Sequence, residues 1–297
     1  MSFSLDTKYE LCEYKFKKQC CKVSQLYGMI LFAQHINFDS IKLVTENVMV
    51  VNILNTLSND VFKINFFIDE NVNTYFAKLS GPQLEKLYDE FFIKVNGKID
   101  LSISRVITDN SCCSYSFLRG AFLSAGYVSN PDRSYHFEIS TPYYNLAKAL
   151  ESFMKQLNFR VKTVVRKSNY IVYMKDSESI ERFLCLTGAN SSAFSFMDSK
   201  IYKEMNNYSN RINNTRIHNI EKTLNKSVEQ VKAINKIKTT YGLDFLDEDL
   251  KTTAQLRLNN PDKSLNELVE ISNKSYSRSG LNRRLNKLIE IANKIGD

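Results

Sequence analysis

Glycine and proline are scarce, at 9 and 4 of 297 residues, which excludes a collagen-like chain, a mucin-like stalk or a flexible low-complexity protein. Long apolar runs are missing as well. No window approaches the roughly 18 consecutive apolar residues of a membrane-spanning helix. The start, Met1 to Asp6, lacks the basic region and apolar stretch of a secretory signal. Metal-binding spacing is absent too. The six cysteines (Cys12, Cys20, Cys21, Cys112, Cys113 and Cys185) form no CxxC pair, and the three histidines lie far apart in sequence. A zinc module is therefore not expected, and no metal or cofactor is assigned. His136-Phe137-Glu138 has the HxE order of zinc deaminases, but no Pro-Cys-x-x-Cys follows it. Reduced, structural thiols in a cytoplasmic protein are the expectation.

What is present suits a folded protein of about two domains: 43% hydrophobic and 12% aromatic residues supply material for packed cores. The formal net charge is +8, and it is concentrated. Residues 200–240 hold nine Lys or Arg against Glu204, Glu221 and Glu229, so this segment alone carries +6. A local cationic excess is what a polyanion-binding surface needs, because each neutralised phosphate releases counterions.

The chain repeats itself. Ser24–Gln34 (SQLYGMILFAQ) and Ser116–Gly126 (SFLRGAFLSAG) are compact helix-forming segments offset by 92 residues, which aligns Leu26 with Leu118 and Gly28 with Gly120. The first is followed by a strand Ile41–Thr45, a helix Val48–Leu57, strands Val61–Ile68 and Thr74–Leu79, and a helix opened by Ser80-Gly81-Pro82-Gln83 with capping-box spacing. The second is followed by a strand Tyr135–Ser140, a helix opened by Thr141-Pro142 and running to about Asn158, strands Val161–Arg166 and Tyr170–Lys175, and a helix Ser177–Thr187. Each half reads α-β-β-α-β-β-α, with repeats over about 22–95 and 112–190. The expected fold class is α+β: a pseudo-symmetric two-repeat domain over 1–197, then an all-α domain over 198–297.

In the second domain, Ile217, Ile220, Leu224, Val228, Val231 and Ile234 recur at three- and four-residue spacing, which predicts one apolar, core-facing stripe on a basic helix. A short helix Leu250–Leu258 precedes the turn at Asn260-Pro261. Ser264-Leu265-Asn266-Glu267 is a capping box opening a helix to about Ser272, Asn273–Tyr276 is a polar turn, and a last helix runs from about Ser277 to Lys294. This is a helix-turn-helix. With Leu281, Leu285, Leu288 and Ala292 inward, the outer face presents Ser279, Arg283 and Asn286, flanked by Asn282 and Lys287, with Arg278 in the first turn. Arg and Asn can read guanine and adenine edges bidentately, whereas Ser, Lys and a helix amino terminus suit phosphates. The Asn- and Arg-rich run Lys203–Thr223, including Asn210, Arg211, Asn214 and Lys222, reads as a backbone-contacting element, and Lys236 as a phosphate contact.

The two repeated segments resemble the signature helices of LAGLIDADG homing endonucleases, in which small residues let two helices meet at a pseudo-twofold axis. Gly28, Ala33, Gly120, Ala121 and Ala125 suit such a contact. In active members the next-to-last signature residue is an acid that holds Mg²⁺. Here Ala33 and Ala125 occupy those positions, and a methyl group cannot ligate a hard cation. Asp39 and Asp132 are displaced in sequence, so the nuclease site reads as lost and no catalytic residue is assigned.

Over nearly its whole length the chain resembles the WhiA family of bacterial DNA-binding regulators. The matching pieces are Phe117–Leu123 with Tyr135–Ile139; Asn210-Arg211 with Asn214 and Lys222-Thr223; Leu256-Arg257; Ser264-Leu265 with Glu267-Leu268; and Ser279-Gly280 with Asn282 and Arg284-Leu285. The resemblance implies a degenerate LAGLIDADG domain without nuclease activity joined to a carboxy-terminal helix-turn-helix. It also implies roles in transcription regulation, cell division and chromosome segregation, with sporulation in some lineages. Arg283 stands where the family usually has His, and Asn206 where it usually has Arg, so base preference is expected to differ from relatives. In some lineages members act with an iron–sulfur partner protein. The expected partner is double-stranded DNA, and the expected location is the cytoplasm, in association with the nucleoid. The competing readings are a protein-interaction scaffold with secondary DNA contact and a Mg²⁺-dependent endonuclease using displaced carboxylates.

Overall fold

The computed structural model describes residues 2–92, 94–95, 98–273 and 275–295. Lys274, inside the expected turn Asn273–Tyr276, lies outside the described residues. The chain divides into two units, Met1–Lys203 and Glu204–Asp297.

The first unit opens with α1 (Phe3–Cys12), capped by the Ser2 hydroxyl. The first repeat follows as α2 (Gln19–Leu31), β1 (His35–Ile36), β2 (Ser40–Thr45), α3 (Val48–Phe62), β3 (Phe67–Asn71), β4 (Thr74–Ser80) and α4 (Pro82–Phe91). A hairpin β5 (Lys94–Val95) and β6 (Lys98–Ile99) and the single turn α5 (Arg105–Thr108) lead to the second repeat. This is α6 (Ser111–Ala125), β7 (Gly126–Val128), β8 (Phe137–Thr141), α7 (Tyr144–Gln156), β9 (Lys162–Arg166), β10 (Asn169–Met174) and α8 (Ser177–Thr187). Both halves have the expected α-β-β-α-β-β-α order. Their sheets share one topology, β1-β2-β4-β3 and β7-β8-β10-β9, antiparallel throughout. Alternation buries one face of each: Ile41 pairs with Leu79, Leu43 with Ala77 and Ile139 with Val172, and all six are buried.

α2 and α6 lie side by side and parallel at the centre of this unit. A Cβ built on Gly28 would overlap the carbonyl of Phe117 and approach Ala121 N to 3.1 Å. One built on Gly120 would overlap the carbonyl of Gln25 and approach Met29 N to 2.9 Å. The two contacts are the same contact repeated 92 residues apart, as a pseudo-twofold axis requires. Hydrogen bonds close the seam, with Ser24 Oγ donating to Cys113 O at 2.7 Å and Ser124 Oγ to Met29 O at 2.8 Å. Arg119, 2% exposed, donates from Nε to Thr187 O at 2.6 Å and from Nη1 to Gln25 Oε1 at 3.0 Å, and lies over the Tyr14 ring.

The axis also gathers the cysteines. Cys20 and Cys21 are the second and third residues of α2, and Cys112 and Cys113 occupy the same places in α6. Their four Sγ atoms all lie within 4.8 Å of one another. The lack of CxxC spacing gave no sign of this cluster. The reason is the repeat, which superimposes two adjacent pairs that no linear spacing rule connects.

Three local expectations also change. The run Val61–Ile68 is not one strand: Val61 and Phe62 complete α3, which a left-handed Lys63 (φ 58°) closes, with Lys63 N donating to Asn59 O and Ile64 N to Ser58 O. Ser80 does not cap α4. Gly81 is the capping residue and Pro82 the first helical one, while Gln83 accepts instead from Asn65 N. Pro142 precedes the cap of α7 rather than sitting in its first turn, because Tyr143 is the capping residue.

Glu151 ties α7 to β9. It accepts from Lys155 at 2.6 Å, Thr163 Oγ1 at 2.6 Å and Lys148 at 3.1 Å. The Lys155 bond first, then that of Thr163, hold its carboxyl at about 2 against an ordinary 4.5. A depressed acid contributes its full stability above the unfolded value and loses it as pH falls towards the folded one. Glu151→Gln is thus expected to destabilise by about 1–2 kcal/mol at pH 7, since both lysines are exposed and screened. In denaturant unfolding, the gap from wild type should narrow steadily below pH 4.5. A pH-independent gap would refute the assignment.

α9 (Asn190–Thr240) is one 51-residue helix that belongs to both units. Glu10 caps its start, accepting from Ser191 N at 2.6 Å and Ser192 N at 2.9 Å. The boundary falls six residues beyond the expected one because the first turns of α9 are built into unit 1. Ala193 and Phe196 are buried there, and Lys203 donates to Pro131 O at 2.6 Å over the Tyr135 ring.

In the second unit, a single 3-10 turn (Leu243–Phe245), α10 (Glu248–Asn259), α11 (Leu265–Ile271) and α12 (Arg278–Lys294) follow α9. Leu268, Leu281, Leu285, Leu288 and Ala292 form the core with Leu250, Ala254, Ile234 and Ile237. The register expected for α9 holds at Ile234, which is buried, with Val231 half-buried, and is corrected before them. Ile217, Ile220, Leu224 and Val228 are 43–59% exposed. The buried face is Ser227, Gln230, Ala233, Ile234 and Ile237. The first half of that face is polar, and Ser227 Oγ donates to Pro261 O.

Candidate nucleic-acid interface

The helix-turn-helix is set by its caps. Ser264 and Glu267 form the capping box of α11, with Ser264 N donating to Glu267 Oε2 at 2.8 Å and Glu267 N to Ser264 Oγ at 3.3 Å. Ser277 caps α12 by accepting from Gly280 N at 3.1 Å. With its four apolar residues inward, α12 turns Arg278, Ser279, Arg283, Asn286 and Lys287 to solvent, and Asn282 sits at the edge. Arg284 is held on the inner side, bonded to Asp249 at 3.0 Å and lying over Tyr276. Lys287 stands 4.0 Å from Asp247, which offsets part of its charge. Arg283 makes no hydrogen bond or ion pair among the described residues.

A cleft of about 770 Å³ runs between α9 and the first turns of α11 and α12. It brings together four of the expected contact residues: Lys222 from α9 with Arg278, Ser279 and Asn282 from α12. Residues not individually expected to contact DNA complete it, although Asn219 and Thr223 lie in the run Lys203–Thr223. Asn219, Thr223, Lys226 and Gln230 lie on the same stripe of α9 as Lys222, Asn266 comes from α11, and Arg257 from α10. The three-, four- and seven-residue spacing of 219, 222, 223, 226 and 230 was the available signal.

Arg257 is 2% exposed, and its Nη1 donates to Lys263 O at 2.6 Å and Asn260 O at 3.2 Å, fixing the turn into α11. Its Nε and Gln230 Oε1 have no hydrogen-bond partner among the described residues. Burial lowers its pKa, but a guanidinium remains a cation near neutrality. The cleft wall is therefore cationic, with no acid among its described lining residues.

The remaining expected residues lie elsewhere. Asn210, Arg211 and Asn214 are exposed on α9, 8 to 12 residues before Lys222, about 12–18 Å along the axis. Lys236 lies about 21 Å beyond Lys222 in the other direction and interacts within the chain. Neither group lines the cleft.

At the carboxy-terminal ends of α2 and α6, Ala33 is buried and Ala125 half-buried. Gln34 spans this end, donating to Ser124 O at 3.3 Å while accepting from Val44 N at 2.6 Å. Asp39 and Asp132 occupy exposed turns, and neither lines the cavity beside Ala125, where the acid is Glu46 facing Lys8. His136 Nε2 bonds Glu138 Oε2 at 2.8 Å, apart from the cysteines. Among the described residues no helix is long and apolar enough to cross a membrane.

Residues 114–206 match the family model of the WhiA LAGLIDADG-like domain, and residues 209–292 that of the WhiA C-terminal HTH domain. The probable cell division protein WhiA of Thermoanaerobacter pseudethanolicus is 34% identical over 305 residues, covering 96% of this chain and 95% of that one. The chain belongs to the WhiA family. The probable cell division protein WhiA of Bacillus cytotoxicus is 33% identical over 96% of this chain and 94% of its own length. The crystal structure of full-length DUF199/WhiA from Thermatoga maritima matches the whole of both chains with a TM-score of 0.60 at 23% identity. It supports for this WhiA-family chain the same fold, a LAGLIDADG-like domain followed by a helix-turn-helix domain.

Proposed function

We propose that this chain is a non-enzymatic, sequence-specific DNA-binding regulator serving cell division and chromosome segregation, cytoplasmic and associated with the nucleoid. The observation that carries the reading is the cleft: Lys222, Lys226, Arg257 and Arg278 surround a groove with no acid in its lining, beside the outward face of α12. A phosphate strand in the groove would lay α12 along the adjacent major groove, with Arg283 and Asn286 facing base edges. Asn210, Arg211 and Asn214 would extend contact along the duplex, and Lys236 would act at its far end. The alanines at positions 33 and 125 remove the carboxylates on which two-metal cleavage depends.

The test is to mix the protein with sheared DNA from its own genome and Mg²⁺, then sequence the retained fragments and their ends. Enrichment around a short shared motif without new ends is the expected result, and clustered new ends would overturn the non-enzymatic part. Arg283→Ala should weaken the selected motif by about 1–3 kcal/mol and relax one base position. Equal loss on random DNA would make Arg283 a phosphate contact instead. The exposed apolar residues Ile217, Ile220, Leu224 and Val228 favour a second reading, a scaffold that docks a protein co-regulator. Retention without any motif would favour it.

A further inference from the structure

The four clustered thiols sit at the end of the α2–α6 pair opposite Ala33 and Ala125, about 20 Å along the helices. Each helix contributes its second and third residues, so the set is two from each repeat around the pseudo-twofold axis. We infer that Cys20, Cys21, Cys112 and Cys113 form a tetrathiolate site for one zinc ion that staples the two repeats together.

The geometry fits a single tetrahedral ion rather than a cluster. A tetrahedral ion with bonds of about 2.3 Å to sulfur holds its thiolates about 3.8 Å apart. Here Cys112 and Cys113 Sγ are 4.0 Å apart, and every pair of the four lies within 4.8 Å. Rotamer adjustment of under about an ångström closes the cage. An iron–sulfur cluster would need wider spacing between sulfurs that bind different irons. An all-thiol donor set is soft, which disfavours Mg²⁺ and Ca²⁺.

Electrostatics and access agree. Zinc with four thiolates carries a charge of −2, and two helix amino termini plus Lys18, the capping residue of α2, face it with positive potential. Hydroxyls fix the backbone beneath, as Ser24 donates to Cys113 O and Ser116 to Cys112 O at 2.8 Å. Cys113 is buried while Cys20 is exposed, which leaves an entry path. Loading is not a redox step: each thiol that binds releases one proton, four Zn–S bonds form, and no electron is transferred.

The test uses the full chain, purified reduced and without a metal-affinity tag. Elemental analysis should find about one zinc per chain, and Co²⁺ added to metal-free protein should give the visible bands of a tetrahedral tetrathiolate. Cys20→Ser, at the exposed corner, should weaken zinc retention against a chelator at least about tenfold with an unchanged circular dichroism spectrum. Cys185→Ser, outside the cluster, should retain zinc as wild type does. Reduced wild type that takes up neither Zn²⁺ nor Co²⁺ would overturn the site. So would native protein with these thiols paired as disulfides, an iron–sulfur chromophore, or Cys20→Ser with wild-type affinity.

Discussion

Gly120→Ala should lower the unfolding midpoint of the first unit by about 10 °C or more, among the largest effects of any single methyl group in this chain. The added carbon would overlap the Gln25 carbonyl and lie 2.9 Å from Met29 N, and both are backbone atoms that no rotamer change can move. Relief requires α2 and α6 to separate along the seam. That strains the packing of Leu26, Met29, Leu118 and Ala121, each at most 0% exposed, and stretches the Ser24 and Ser124 hydrogen bonds. Overpacking of about 1–3 kcal/mol and the voids opened beside it together reach about 3–5 kcal/mol, a large share of a marginal stability. Gly81→Ala provides the contrast: φ +75° with ψ −156° is a backbone region that essentially only glycine adopts, but nothing lies within 4 Å, so it should show only a backbone penalty of about 1–3 kcal/mol. Calorimetry on both variants decides the matter. Equal shifts would mean that helix proximity is not what position 120 demands.

The same seam explains which features were legible in the sequence. Gly28 and Gly120 are visible as a 92-residue echo because close helix contact leaves a residue-type signature, and the strand order after each helix follows from β-branched and aromatic runs. The α12 face was legible for a similar reason, as Leu281, Leu285, Leu288 and Ala292 have no other periodic interpretation. The register of α9 was not. Periodicity assigns the apolar residues to the core, but this helix buries Ser227 and Gln230 beside Arg257 and leaves Ile217, Ile220, Leu224 and Val228 outside. The partner of Ser227 is the Pro261 carbonyl, 34 residues away in the chain, which no local pattern shows. The cleft was half legible: its α12 wall followed from helix geometry, but its α9 wall needed the corrected register. The cysteine convergence was hidden for the opposite reason, because each pair is ordinary alone and only superposition of the repeats joins them.

Replacing Lys222, Lys226 and Arg278 together with alanine should weaken DNA binding on the order of 100-fold at physiological salt, equally for the selected motif and for random duplex. These residues surround one cleft from two helices, and Lys222 and Lys226 lie a single turn apart on α9. Each cation that meets a phosphate contributes about 0.9 to the slope of log affinity against log salt, so the triple variant should flatten that slope by about 2–3. The fold should tolerate the change. Lys222, Lys226 and Arg278 are exposed, whereas the buried Arg257 holds the carbonyls of Asn260 and Lys263 and must stay. The result separates two kinds of work within one domain. Arg283→Ala should relax discrimination at one base with little change in slope, while the triple variant should change the slope and leave the motif intact. An unchanged slope would place the phosphate backbone elsewhere and leave the cleft as an internal feature of the helix-turn-helix. A loss confined to the motif would assign Arg278 to base reading instead, because a phosphate contact cannot distinguish one sequence from another.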